Sequence, residues 1–380
     1  MSNENSSKEN LNTPLINDED LIPVEIKASG VRISFPDFYF YKIRTFCGKY
    51  IDIQDASTAN NKAAIQYTAN NNNNQKFLIF TLDNNYSVIA AKHSGKVLDI
   101  MDIPLGPGLP FMLIQYDFQN GDNQKFFIAN DGAIAVKKTG HVWDVKSGST
   151  KDDTPIIPYN YSGASNQKFS LENSGTASVK PPELGDLPNS PDFKTNDLNE
   201  ILPDNTTPVI THATYLPYFM VKDPYYNTQQ KMQNSPYYIL VRRQYWEKIS
   251  QRIVGAGESY KYEQTTGVAR TDQISMTETT EIAIGADLGF MFKGFSANLS
   301  TSITKTLSVT KSTSTTESVS KTETVTDSNP FMYTIARAKY MLINEYYVTR
   351  ANGQLITSGD ATYWKVPNPN QTVTRTIPQP

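Results

Sequence analysis

The chain has 380 residues, enough for two or three domains with a buried core, and its net charge of −3 comes from 35 basic and 38 acidic residues. A balance this near neutral excludes a phosphate-tracking surface, so nucleic acid is not expected as a partner. Only 19% of residues are charged, while 22 Tyr and 17 Phe accompany many Ser, Thr and Asn, a mixture that suits β-structure with polar surfaces.

The single cysteine, Cys47, leaves no intrachain disulfide. The opening stretch MSNENSSKENLNTPLINDED has no apolar core, so no signal peptide is expected. No apolar run reaches the roughly 18 residues of a membrane-spanning helix, so the chain is expected to be made soluble and to meet any membrane by refolding. His93, His141 and His212 are scattered, and no metal-ligand spacing, phosphate loop or nucleophile elbow occurs. No catalytic residue, metal or cofactor is expected, although a glycosidase-type carboxylate pair, which need not be local in sequence, stays open.

In chain order, residues 1–34 read as an N-terminal extension with Lys8 and Lys27 as candidate cleavage points for a trypsin-like protease. Between 35 and 173 one pattern occurs three times. NQKF recurs at Asn74–Phe77, Asn123–Phe126 and Asn166–Phe169, with intervals of 49 and 43 residues. Upstream stand GKYIDI, GKVLDI and GHVWDV, in which Gly48, Gly95 and Gly140 precede Asp52, Asp99 and Asp144. Between them lie AIQY, LIQY and IIPY, ending in Tyr67, Tyr116 and Tyr159. Short apolar strands with turn residues between them, repeated three times and then no more, predict closure with threefold symmetry, a β-trefoil.

The pattern resembles ricin-B-type lectin repeats, with Phe in place of the family's Trp and without its disulfides. That resemblance implies two kinds of residue. Gln75, Phe77, Gln124, Phe126, Gln167 and Phe169 form the core motif, the Phe packing inside and the Gln bonding a neighbouring loop. Asp52, Tyr67 and Asn74, Asp99, Tyr116 and Asn123, and Asp144, Tyr159 and Asn166 are the implied carbohydrate ligands, expected for galactose-type glycans. A carboxylate accepts vicinal hydroxyls and an aromatic face suits the C–H side of the ring. Because the stretch from Tyr to Asn is short, Phe118 or Tyr161 is an alternative stacking ring. The first repeat has Ala69 there and is the weakest candidate. On the residues alone, Asp can equally be a turn-fixing residue. Trp143, next to Asp144, should face the core.

Residues 174–208 are rich in Pro, Gly, Asn and Asp and read as a linker or extended strap. Residues 209–380 form the last region. In it, P-x-F-M-V-x-D from Pro217 to Asp223, S-P-Y-Y-I-L from Ser235 to Leu240, Gln244-Tyr245-Trp246 and TDQISMTETTEIAIGADLGFMF at 271–292 are similar to the pore-forming module of the Tpp insecticidal toxins, the family of the mosquitocidal binary toxin. The resemblance implies an all-β protein, the trefoil followed by an elongated antiparallel aerolysin-type β-domain.

Residues 296–328 contain 19 Ser or Thr in 33 positions, with no Pro or Gly, and predict long strands with one wettable face. Within this region a hairpin is expected, with Lys293-Gly294 as its two-residue turn. Ile282, Ile284, Leu288, Phe290 and Phe292 form one apolar arm, and Phe295, Leu299 and Ile303 the other. In that register Phe292 faces Phe295, Leu288 faces Leu299 and Ile284 faces Ile303. The arms are long enough for a tilted strand to cross a bilayer. Arg375 lies in a Pro-rich tail that is expected to be cleavable.

The functional expectation is an insecticidal pore-forming toxin that binds gut glycoconjugates, forms homo-oligomers and inserts hairpins into the target membrane. Its alternatives are one subunit of a binary toxin that needs a second toxin protein, or a lectin that forms no pore. The resemblance further implies a parasporal crystal protein of a spore-forming bacterium.

Overall fold

A computed structural model describes residues 38–83, 86–101, 111–356 and 362–378. Lys8 and Lys27 lie outside the described residues. The first half contains β1 (Phe38–Arg44), β2 (Tyr50–Ile53), β3 (Lys62–Tyr67) and β4 (Phe77–Asp83). They are followed by β5 (Tyr86–Ala91), β6 (Val97–Ile100), β7 (Leu113–Tyr116) and β8 (Phe126–Ile128), and then by β9 (Ile134–Val136), β10 (Val142–Val145), β11 (Thr154–Tyr159) and β12 (Ser170–Ala177). Each repeat therefore supplies four strands.

The outer strands of the repeats pair in sequence, β12 with β1, β1 with β4, β4 with β5, β5 with β8 and β8 with β9. The inner pairs β2–β3, β6–β7 and β10–β11 are hairpins, and β3 also pairs with β7 and β11. This is a β-trefoil. The glycine that opens each motif turns the chain at a φ of 82° in Gly48, 71° in Gly95 and 72° in Gly140, a region costly for a side chain. Phe77, Phe126 and Phe169 meet at the centre with Ile43, Ile53, Leu98, Trp143 and Val145. Trp143 meets Phe126 and Phe169 in T-shaped contacts, with centroids 5.1 and 5.8 Å away.

The second half is built on a four-stranded antiparallel sheet in the order β13 (Val209–Pro217), β14 (Tyr237–Val254), β19 (Ile335–Arg350), β20 (Trp364–Ile377). β14 runs for 18 residues, roughly 60 Å of strand. Residues 178–208 have almost no regular structure but form a strap over this sheet. Leu202 packs with Ala338 and Tyr340, the Trp246 indole donates to the Pro188 carbonyl at 2.9 Å, and the Lys248 ammonium donates to the Leu202 carbonyl at 2.7 Å. Arg375 is not in a tail. It lies in β20 opposite Ala338, with its guanidinium on Ser190 and Asp192, and paired backbone of this kind cannot enter a protease cleft without first unfolding.

Between β14 and β19 the chain makes β15 (Ser259–Thr266), α2 (Arg270–Thr280), β16 (Ile282–Ile284), β17 (Phe290–Phe292), α3 (Ala297–Thr306) and β18 (Lys321–Ser328). A short helix, α1 (Thr228–Asn234), precedes β14 and is capped by Asn227 and Gln230. The expected 282–305 hairpin is absent from this fold. β16 and β17 pair with Ile282 opposite Phe292 and Ile284 opposite Phe290, so the turn lies at 285–289, not at Lys293-Gly294. Leu288 sits in that turn at a φ of 63°.

The second expected arm is mostly helix. Its apolar residues Leu299, Ile303 and Leu307 recur every fourth position, a spacing that keeps one face of a strand and one face of a helix alike. Ser296 resolves the ambiguity locally, since its hydroxyl accepts from the Leu299 N–H and caps the helix. The long strands expected over 296–328 are thereby reduced to β18.

Candidate functional site

The three motifs build the same hydrogen-bond network. Each Asn amide donates to one oxygen of its Asp, Asn74 to Asp52 at 2.8 Å, Asn123 to Asp99 at 2.7 Å and Asn166 to Asp144 at 2.9 Å. Each adjacent Gln amide donates to the other oxygen, Gln75 at 2.9 Å, Gln124 at 2.8 Å and Gln167 at 2.9 Å. The same Gln spans the loop before it by donating to the carbonyls of Thr68, Asp117 and Asn160 and accepting from the N–H groups of Asn70, Gln119 and Ser162. The Gln is thus the part that ties Asp, loop and core Phe together. Gln66 and Gln115, in the AIQY and LIQY strands, stitch neighbouring repeats by donating to the carbonyls of Ser149 and Lys151 and of Ser57 and Ala59. Their exact recurrence in two repeats was the signal for this role.

Asp52, Asp99 and Asp144 are all buried. Burial pushes the Asp52 and Asp144 carboxyls up, and their amide donors pull them back: Gln75, Asn70 and Asn74 on Asp52, Gln167 and Asn166 on Asp144. A carboxylate oxygen with one amide donor keeps a lone pair for a ligand hydroxyl. Each network is therefore both scaffold and candidate acceptor.

The aromatic residues separate the repeats. Tyr159 lies two residues beyond Ile157, the partner of Asp144, so ring and carboxylate share a face of the β10–β11 hairpin. Tyr67 and Tyr116 hold the same positions relative to Asp52 and Asp99. Tyr159 is 56% exposed, whereas Tyr67 and Tyr116 are half-buried. Phe118 is turned toward the second half: it packs against Phe219, tilted by 33° with centroids 4.1 Å apart, beside the core shared by the two halves. Tyr161 is also engaged, its hydroxyl on Asp131 and its face under the Lys168 ammonium at 4.7 Å. The third repeat keeps the combination of Asp144, a half-buried Asn166 and an exposed Tyr159.

The apolar segment 282–307 is closed off. Ile282, Ile284, Phe290, Leu299, Ile303 and Leu307 belong to the large core that also contains Tyr218, Tyr238 and Leu240. Residues 310–318 are laid across it as a polar strap: the Phe290 N–H donates to the Thr310 carbonyl, Ser312 N–H to Phe290, Ala286 N–H to Thr316 and Ser318 N–H to Ile284. The Asp287 carboxylate clasps strap to turn. It accepts from the Ser312 hydroxyl at 2.6 Å, from the Thr313 N–H and hydroxyl at 2.9 and 3.2 Å, and from the Gly289 N–H at 3.1 Å. Those bonds, from Ser312 above all, hold its carboxyl well below the usual range. The trefoil holds the other end, where Asn120 donates to the Gly294 carbonyl at 2.8 Å and the Ser296 hydroxyl donates to the Leu82 carbonyl.

α3 is a helix in which half of the residues are Ser or Thr. Ser300, Thr301, Thr304 and Thr306 turn their hydroxyls back onto the carbonyls of Ser296, Ala297, Ser300 and Ser302, at 2.7, 2.9, 3.1 and 2.8 Å. Such back-bonding competes with the helix ladder, and Thr prefers strands. Local preference and adopted structure disagree here.

Two family models match the chain, "Insecticidal Crystal Toxin, P42" over residues 209–379 and "Ricin-type beta-trefoil lectin domain-like" over residues 37–104. The second half of the chain is thus similar to the insecticidal crystal toxins, and part of the first half to ricin-type lectins. It is similar to the binary larvicide subunit BinB of Lysinibacillus sphaericus, with 27% identity over 46% of this chain and 39% of BinB. That match therefore spans well under two thirds of BinB. Subunit BinA of the same organism is 25% identical over 87% of this chain and 91% of its own length. The crystal structure of Cry35Ab1 superposes with a TM-score of 0.72 over 90% of both chains at 19% identity, which shows a shared fold. The named relatives are insecticidal toxins, and this chain carries their lectin-type N-terminal fold.

Proposed function

We propose that this protein is an insecticidal pore-forming toxin whose trefoil holds galactose-type glycans of gut-cell glycoproteins or glycolipids in its third repeat. Asp144 accepts the hydroxyls, Asn166 bonds one of them, and Tyr159 covers the apolar face of the ring. Once bound at the membrane and trimmed at its ends, with Lys8 and Lys27 as candidate sites, several protomers release the 282–307 segment and close a β-barrel from it. Closure is a physical requirement, since no strand edge can stay unbonded in hydrocarbon.

The observation that carries this reading is the state of that segment. An apolar stretch that alternates when read as strands is folded away as a short hairpin and a Ser/Thr-rich helix, under a strap of hydrogen bonds. In the extended form proposed for the pore, Ile282, Ile284, Leu288, Phe290, Phe292, Phe295, Leu299 and Ile303 face lipid, and Lys293-Gly294 regains its place at the turn. The names of the relatives favour a second reading, in which the protein is one subunit of a pair and a second toxin protein supplies the missing step.

The test is binding to galactose resin, and dye release from glycolipid-containing liposomes, by trypsin-treated protein alone. Retention lost in Asp144→Ala but kept in Asp52→Ala, together with dye release by wild type, supports the reading. Retention without dye release under every protease condition removes the pore and leaves a lectin. Release restored by a partner toxin supports the two-subunit form.

A further inference from the structure

The first and third repeats share one frame, so their differences form an internal comparison. Each has a turn after the Asp strand with two left-handed residues. In the first repeat these are Asp55 and Ala56, with φ of 59° and 48°; in the third they are Ser147 and Gly148, with φ of 59° and 60°. A Cβ on Gly148 would stand 4.0 Å from Asn166 Cγ, in contact with the amide of the third pocket. Ala56 carries that methyl group in the first. Asn74 is only 4% exposed there, and its Oδ1 is buried with no hydrogen-bond partner. Asn166 is half-buried and Asn123 likewise.

The loops differ as well. In the first repeat Asn70 donates its side-chain amide to Asp52 Oδ2 at 3.1 Å, beside the Gln75 amide already on that oxygen. The same loop position in the third repeat is Ser162, whose hydroxyl turns to Gln167 Oε1 at 3.0 Å and leaves Asp144 to the amides of Asn166 and Gln167.

We propose that the first repeat is a self-occupied copy of the sugar pocket, in which the Ala56 methyl group closes the mouth and the Asn70 amide stands where a ligand hydroxyl would donate. The Asp–Asn–Gln frame is common to all repeats and so does not choose between them. Residues 56 and 70, with their counterparts 148 and 162, choose. The buried Asn74 Oδ1 is the acceptor that such a closed pocket leaves without its hydroxyl. This inference rests on the reading that the third pocket takes a galactose-type sugar.

The experiment uses the full chain and methyl β-galactoside. Bound ligand per chain is measured by equilibrium dialysis for wild type, Ala56→Gly/Asn70→Ser, and the same pair in an Asp144→Ala background. The double variant is expected to bind one more galactoside per chain than wild type. In the Asp144→Ala background it is expected to restore the retention that Asp144→Ala removes. Gly148→Ala is expected to weaken the third pocket. Unchanged stoichiometry in the folded double variant, checked by near-UV circular dichroism, overturns the proposal. Ala56→Gly alone, which relieves a left-handed alanine, gives a second folded variant should Asn70→Ser disturb its loop. If wild type binds no galactoside, the third-pocket reading falls, while the first-repeat proposal is still judged by whether the double variant binds one.

Discussion

Replacing Asp287 with Ala should loosen the strap over the apolar segment without touching the core beneath it. The side chain lies at the surface and accepts four hydrogen bonds, three from Ser312 and Thr313 and one from Gly289. Charge-assisted bonds in a buried site would be worth more, but solvent competes for an exposed carboxylate, so the loss is about 1–2 kcal/mol in total. If the strap opens as a local unit, that raises its open population roughly 5–30-fold.

Lys293 and Lys311 flank the clasp and report opening as trypsin sites, because cleavage of a rapidly opening segment follows its open population. Nicking at these lysines should therefore accelerate by about that factor, and trypsin-triggered dye release should accelerate with it. The pH dependence has a defined sign. A carboxyl whose folded pKa is depressed stabilises above its unfolded value, near 4, and its contribution is lost as pH falls toward the folded pKa. Nicking of wild type by an acid-active protease should thus rise below about pH 4, while Asp287→Ala shows no such rise. Equal nicking rates in wild type and variant at neutral pH would refute the clasp.

Arg350→Ala should strip a buried partner from Asp223, which meets the guanidinium at 2.7 and 2.9 Å. An uncompensated buried carboxylate costs about 3–5 kcal/mol, expected as a fall in Tm of roughly 10 °C by calorimetry; a shift within 2 °C would contradict a structural role. Phe126→Ala should open a cavity at the trefoil centre beside Trp143 and cost about 3–5 kcal/mol, read as early loss of galactose-resin binding on heating. Phe219→Ala should free Phe118 and weaken the contact between the halves, so that trypsin-triggered dye release is faster while retention through the third repeat is unchanged.

The trefoil was legible because its determinants are local and repeated. Gly, Asp, Tyr and Asn-Gln-x-Phe fall at matching positions three times, and the Asp–Gln bonds convert that spacing into one closed frame. The scaffold residues were readable for the same reason. The surroundings that distinguish the three copies were not, because they depend on contacts distant in sequence, such as Phe118 on Phe219, and on local differences such as Ala56 against Gly148 and Asn70 against Ser162. The second half was legible as β-structure but not in its short elements. Leu299, Ile303 and Leu307 fit both periods, and the choice of helix comes from the Ser296 cap and the core beneath, which no alternation count contains. The Pro-rich stretch before β13 reads as a linker by composition, yet Leu202 and the Lys248 and Trp246 bonds fasten it to the sheet.

The central claim is that the 282–307 segment exchanges its folded form for membrane-crossing strands. α3 offers a direct test, since Ala297, Asn298 and Thr301 are all exposed and Ser302 is half-buried in the folded form. Single cysteines at these four positions, in a Cys47→Ser background, would carry an environment-sensitive fluorophore, with lipid-borne quenchers in the liposomes. After trypsin treatment and dye release, the account predicts that the labels at 297 and 301 move into lipid and are quenched, while those at 298 and 302 remain in water. Four labels that stay aqueous while dye escapes, or that change together without alternation, would contradict it.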